Sequence, residues 1–440
     1  MMNRQKAGEE EGEGKDGSSS LSKSYYSLPS VGSLLFTNLT YALIQFNVAS
    51  LFVYMLVDFP GEGISGLGEL TSAFFLGIGL FEIPGSILSG KLGTRRVVLL
   101  GTILSGLAIF LSGFSGDSFS LIVFLRFLAG LGTGIGFPSL VVLLARSFRS
   151  GREGFAVGLV NVSYNAGGMV GLFGWALLGL LIGWRASLIA SGGALLLAAA
   201  LCFAFLPKAL LDFERDERFE FTVREFRHVL FNRWIGVISL SLFGIGASAA
   251  LTWNFVVFYL EEKLGQSPGV AGLVGSFANL FSLLGALFVG RAYDSRGERT
   301  SKREMEKKLL TAGAITMTLG VSVTAIASIY TAIASTVLVG IATSLGWTVG
   351  LAAAKEACAK RNPKFESVAI ALVDCVSLFG SFVSPIFFPL IVASSGYPLA
   401  WLLGSLFALV FSIPLMIMEV RGVSVERTSG MVGEGEKLAE

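Results

Sequence analysis

Three charged side chains stand inside long apolar runs of this 440-residue chain: Glu82, Arg126 and Asp374. A charge at mid-helix in a membrane costs about 2.5 to 3.5 kcal/mol on insertion scales, so each needs a function or a partner. Glu82 shares a helical face with Gly79, Gly85, Ser86 and Ser89, while Asp374 stands on a stripe with Ser367, Ala371, Ser377, Ser381 and Ser384. Such small and polar surroundings suit a helix contact or a wet gap. Carboxylates placed there take up and release protons; the competing reading is a latch bonded to helix ends and serines. Arg126 divides in the same way, between attraction of a carboxylate-bearing solute and a bond to neighbouring carbonyls. Other chemistries find little support. His228 is the only histidine, and Cys202, Cys358 and Cys375 lie far apart without metal-ligand spacing, so no zinc site, disulfide framework or resident cofactor is expected. The run Gly85-Ser-Ile-Leu-Ser-Gly90-Lys91-Leu92 begins like a phosphate-binding loop, but Leu92 stands where Ser or Thr is required and the run ends an apolar helix. No HExxH or Ser-His-Asp pattern occurs, and an enzyme is not expected.

The elements that hold these charges are set by composition. Hydrophobic residues make up 53% of the chain and charged residues 15%, against about 25% charged in soluble domains. The apolar residues come in blocks of roughly 20, the length that crosses a hydrocarbon core of about 30 Å. The 55 glycines fit helices that pack closely in a bilayer. About twelve transmembrane helices are expected, near 33–57, 67–91, 96–115, 119–145, 155–181, 185–206, 234–261, 269–293, 308–329, 331–354, 367–394 and 397–418, with very short turns at Gly183 and Ser328. Residues 1–30 and 421–440 read as polar tails. A central stretch, 207–233, separates a first set of six helices (31–206) from a second (234–420), which suggests internal duplication. Its phenylalanines, interleaved with charges, fit either an interfacial helix or a solvated linker. The net charge of +2 gives no reason to expect a nucleic-acid partner. Lysine and arginine crowd alternate loops: Lys91, Arg95 and Arg96; Arg146, Arg149 and Arg152; Lys355, Lys360, Arg361 and Lys364; and the two longer loops after the sixth and eighth spans. The opposite loops hold only Arg185 and Lys263. The positive-inside rule then puts both termini in the cytoplasm of a multi-pass cell-membrane protein.

Short motifs add a family resemblance. The loop Gly290-Arg-Ala-Tyr-Asp294-Ser-Arg-Gly297-Glu-Arg299 resembles the G-x-x-x-D-[RK]-x-G-[RK]-[RK] pattern of the major facilitator superfamily at Gly290, Asp294, Gly297 and Arg299, departing at Ser295 and Glu298. Its counterpart Gly90-Lys91-Leu-Gly93-Thr-Arg95-Arg96 keeps Lys91, Gly93, Arg95 and Arg96 but has Gly90 where the family has Asp. Arg126-Phe-Leu-Ala-Gly130-Leu-Gly132 and Gly183-Trp184-Arg185 extend the resemblance.

The resemblance implies an all-α integral membrane protein of two pseudo-symmetric six-helix halves, in which these loops gate one closed state. It implies that the second and eleventh helices meet, making Glu82 and Asp374 neighbours and a proton carrier. It places the first, fourth, seventh and tenth helices around a central cavity, which nominates Asn38, Tyr41 and Gln45, then Arg126, Trp253 and Asn254, then Thr343, Ser344 and Trp347 as substrate contacts. Because the family pattern holds Arg126 across diverse substrates, its structural reading is favoured. The expected function is secondary active transport of a small organic, anionic solute with protons, by a monomer in a lipid bilayer. Alternatives are a drug-type proton antiporter and a non-transporting receptor of transporter shape.

Overall fold

The computed structural model describes residues 27–147, 153–206, 227, 229–294, 299–359 and 365–419. Most of both tails, nearly all of the central stretch with its expected interfacial helix, and Gly297 lie outside the described residues. Ten α-helices follow one another, with no strand among the described residues: α1 (Leu28–Met55), α2 (Gly63–Leu92), α3 (Thr94–Ser112), α4 (Phe119–Arg146), α5 (Glu153–Phe205), α6 (Arg233–Glu262), α7 (Pro268–Asp294), α8 (Arg299–Val323), α9 (Ile329–Ala359) and α10 (Phe365–Ile417). Nine of them contain a segment long and apolar enough to cross a membrane. The exception is α8. Its helix starts at Arg299 and stops at Val323, not over the expected 308–329. Ion pairs from Lys302 to Glu356 and from Lys308 to Glu304 support its charged first turns beyond the apolar part.

At 53 residues each, α5 and α10 are too long for one crossing. Each is two helices joined at a single non-helical glycine, Gly183 (φ 78°) and Gly396 (φ 81°), where any other residue would be strained. The same device secures both joints. Trp184, next to Gly183, donates its indole N–H to Asp58 Oδ2 at 2.9 Å. Tyr397, next to Gly396, donates its hydroxyl to Glu262. Asp58 closely follows α1 and Glu262 ends α6, so corresponding positions of the two helix sets hold corresponding carboxylates. Arg185 strengthens the first joint: it bonds Asp58, reaches Gly116 O at 2.9 Å, and lies over the Trp184 ring at 4.2 Å. The Trp184 N–H and Arg185 hold the Asp58 carboxyl below the usual carboxylate range.

Helices α1 to α5 pack among themselves, as do α6 to α10, and the two sets are joined chiefly by α2 on α10, α5 on α7 and α1 on α6. In lipid no hydrophobic gain draws one apolar helix to another, so close backbone approach decides which helices touch. Alternate glycines of α4 serve two neighbours. A Cβ on Gly130 would stand 2.0 Å from Phe74 O of α2, and one on Gly132 would stand 2.6 Å from Ser105 N of α3.

Gly130→Ala should therefore lower stability by about 1–3 kcal/mol. Gly193→Ala, at a helical site with nothing within 4 Å of the added carbon, should be neutral, and thermal unfolding of the two variants in detergent compares them. Asp58 supplies a second test. Its folded pKa is depressed, so its contribution is present above the unfolded value of about 3.9 and is lost as pH falls through the folded value. Wild type should be more thermostable than Asp58→Asn at neutral pH, with the gap closing below about pH 4; a gap unchanged down to pH 3 would contradict the assignment.

Candidate functional site

One stripe of α2 runs along α10 and ends on the charged pair. A Cβ on Gly68 would be 2.3 Å from Pro385 O, Ser72 Oγ donates to Phe382 O at 2.9 Å, and Cys375 Sγ donates to Gly79 O at 3.2 Å. These positions recur at helical spacing on α2, and the next one along the stripe is Glu82. The antiparallel course of α10 brings Asp374 opposite, beside Glu82 and close enough for the two carboxyl groups to interact. A bond between two carboxyl groups requires one proton between them. The indole N–H of Trp347, from α9, donates to Asp374 Oδ1 at 3.0 Å. Glu82 is buried and Asp374 half-buried, and Glu82 Oε2 has no protein partner.

Aromatic rings surround this pair. Trp253 of α6 stands 5.9 Å from Trp347 and 6.2 Å from Phe46 of α1, centroid to centroid. On the other side Tyr164 of α5 lies close enough to Asp374 to sense its charge and donates its hydroxyl to Gln45 Oε1. Phe137 of α4 packs edge-on against Tyr164 at 6.0 Å. Beside this cluster two buried donors, Trp253 Nε1 and Asn279 Nδ2, have no protein partner. Asn279 sits against Gly168, one turn along α5 from Tyr164. Helices of both sets thus contribute to one cluster of carboxyls, aromatic rings and unpaired N–H groups. No three His, Cys, Asp or Glu side chains come together to hold a metal ion among the described residues.

Of the expected substrate contacts, Gln45, Trp253 and Trp347 belong to this cluster. Others are committed elsewhere. Asn38 Nδ2 bonds Val160 O at 2.8 Å and Ser163 Oγ at 2.7 Å, tying α1 to α5. Tyr41 bonds Thr102 Oγ1 at 2.8 Å, inside the first helix set. Asn254, Thr343 and Ser344 bond carbonyls of their own helices, Ala250, Val339 and Ile341. Arg126 is spread over α1: Nη1 donates to Ile44 O at 2.8 Å and Asn47 Oδ1 at 3.0 Å, Nη2 donates to Gln45 O at 3.2 Å, and the Phe74 ring lies 4.3 Å from its carbon. Tyr164, Phe137 and Asn279 were not nominated from the sequence. The polar insert Asn161-Val-Ser-Tyr164-Asn165 inside an apolar run was the available signal.

The gating-loop residues separate as well. Gly93 turns the chain at φ 89° between α2 and α3, and Lys91 and Arg96 are exposed. Arg95 is buried and donates to Phe203 O at 2.9 Å, fastening α3 to the end of α5. Asp294 ends α7 and Arg299 begins α8, with Gly290 in the last turns of α7.

The family model for the Major Facilitator Superfamily matches residues 34–303 and 238–437. The chain belongs to this superfamily. Its membrane-crossing segments agree with a multi-pass membrane protein of this family. Relatives are more distant. "Probable sulfoacetate transporter SauU" of Cupriavidus necator is 26% identical over 267 residues, 54% of this chain and 59% of that protein. "Probable anion transporter 3, chloroplastic" of Arabidopsis thaliana is 32% identical over 126 residues, 28% of this chain and 25% of that protein. "Membrane sensor protein UhpC" of Escherichia coli is 26% identical over 248 residues, 52% of this chain and 56% of that protein. The matched region spans less than two thirds of each of these relatives.

The bonding of Arg126 carries a prediction. Arg126→Ala should lower stability by about 3 kcal/mol or more, since each bond to a charged donor is worth about 1.5–3 kcal/mol. Arg126→Lys, which keeps the charge and loses the fork, should recover only part of the loss. Thermal unfolding in detergent without solute reads this directly; full stability in the alanine variant would return Arg126 to solute binding.

Proposed function

We propose that this major facilitator transporter carries a small organic anion together with protons, the halves 31–206 and 234–420 rocking about the cluster described above. The observation that carries the reading is the carboxyl pair formed across the halves by Glu82 and Asp374. An anion entering beside an ionised carboxylate meets repulsion of about 3 kcal/mol at about 5 Å and an effective dielectric of about 20, roughly a hundredfold in affinity. Protonation of the pair removes that penalty and leaves O–H donors in its place. Proton and anion are then taken up together because neither is comfortable alone. The free N–H groups of Trp253 and Asn279 supply further donors for oxyanion groups, and the rings of Phe46, Phe137 and Trp347 suit the carbon skeleton. The names of the sulfoacetate and anion transporters among the relatives support an anionic solute. The alternation of basic loops supports a cell-membrane protein with cytoplasmic termini.

A second reading is favoured by one specific feature. Aromatic faces beside carboxylates attract organic cations, and Arg126, which would repel them, is occupied by carbonyls. In that case the pair would exchange protons for a lipophilic cation.

Reconstitution in liposomes separates the two. With an inward pH gradient, wild type should accumulate sulfoacetate or a related small oxyanion, and Glu82→Gln and Asp374→Asn should abolish accumulation while retaining exchange of labelled for unlabelled solute. Accumulation at the wild-type level in both variants would remove the pair from coupling. Proton-driven export of tetraphenylphosphonium, with no anion flux, would decide for the second reading.

A further inference from the structure

Away from the central cluster, α8 and the end of α10 border an open groove of about 490 Å³ lined by Glu304, Lys307, Lys308, Thr311, Ile315 and Met416. It lies where the charged first turns of α8 give way to its apolar part. Lys307 donates to Met418 O at 2.6 Å, just past the end of α10, where helix carbonyls lack partners of their own. Lys308 is exposed and stands 3.6 Å from the exposed carboxylate of Glu304. Further along α8 the outward residues are Ile315 and Leu319, at i and i+4, and Val410, Ile413 and Ile417 are outward on α10. The groove therefore has a basic mouth at the hydrocarbon boundary and an apolar floor that faces lipid. The central cluster uses none of these residues.

We propose that this groove binds an anionic phospholipid, with its phosphate at Lys307 and Lys308 and an acyl chain along Ile315 and Leu319. Charge complementarity selects the headgroup: a net-negative phosphodiester gains from both ammonium groups, whereas phosphatidylcholine brings its own cation against them. The apolar floor selects a lipid over a soluble phosphate, because only an acyl chain fills it. Among the described residues lining the groove, Glu304 is the one opposing charge. It holds Lys308 in place and weakens the field at the mouth, so its removal tightens binding.

The test uses the full-length protein in detergent, titrated with dioleoyl-phosphatidylglycerol or dioleoyl-phosphatidylcholine and read by native mass spectrometry as bound lipid. Wild type should prefer phosphatidylglycerol. Lys308→Ala should weaken that lipid about fivefold, the effect of one lysine near a membrane surface. Glu304→Gln should strengthen it, which a merely damaged fold would not do, and Ala312→Trp, filling the groove from an exposed position, should displace the lipid. Equal retention of the two lipids by wild type would overturn the proposal. So would unchanged phosphatidylglycerol affinity in Glu304→Gln and Ala312→Trp, or binding of glycerol phosphate as tight as that of the lipid.

Discussion

Backbone approaching backbone is the interaction on which this molecule depends. Lipid tails are as apolar as leucine, so helices in a bilayer gain little by burying leucines against each other, and dispersion across closely fitted surfaces has to hold them. Glycines at Gly68, Gly77, Gly130, Gly132 and Gly246 put carbonyls of one helix where a side chain of another would otherwise be. The contact of α2 with α10 is of this kind, and it positions the carboxyl pair, because the face that carries Gly68 and Ser72 also carries Glu82. Fixing the rotation of α2 on α10 fixes which group Asp374 meets. The chemistry is thus downstream of a packing decision.

A buried cation is the opposite case, one in which polar bonds replace fit. Arg126 stands deep in the first helix set with two α1 carbonyls, an amide oxygen and a phenyl face around it. Those carbonyls belong to Ile44 and Gln45, and the Gln45 side chain accepts from Tyr164 beside the carboxyl pair. Arg126 is therefore one residue removed from the central cluster and acts on it by holding α1 in register. An arginine so engaged leaves neutral donors to meet a solute. Neutral donors favour an oxyanion less than a free cation does, so the proposed uptake of an anion would require Glu82 and Asp374 to be protonated when it binds.

Much of this was legible in the chain itself, for reasons that differ by element. Span positions followed from blocks of apolar residues because lipid imposes a length, and Gly183 was readable as a break because a 53-residue helix cannot fit once. The Glu82 and Asp374 pair was readable because charge is rare in such blocks, though their meeting rested on family resemblance. Helical polarity misled at α8, whose charged turns remain helical where hydropathy ended the span. Polar residues were the weakest guide: Asn38, Tyr41 and Ser344 looked like cavity residues and bond helices instead, since an amide or hydroxyl in an apolar bundle must find a partner and backbone carbonyls are the nearest. Tyr164 was missed because a tyrosine in an apolar run carries no sign of which face it occupies.

Under the proposed function, the carboxyl pair would also tie protonation to the motion itself. Glu82 and Asp374 belong to different helix sets, and the contact that unites them lies at the end of the α2 seam along α10. When the sets part there, the shared proton loses one of its two holders, and each carboxyl must find water, a serine or a solute instead. With both groups ionised the seam is opposed by charge repulsion; with one proton present it is closed by a hydrogen bond. A solute that bonds the protonated pair can take over the role of the seam's own contact. On that proposal, proton occupancy, solute occupancy and closure of α2 on α10 would be three states of one interaction, which is what coupling between an ion gradient and a cargo requires.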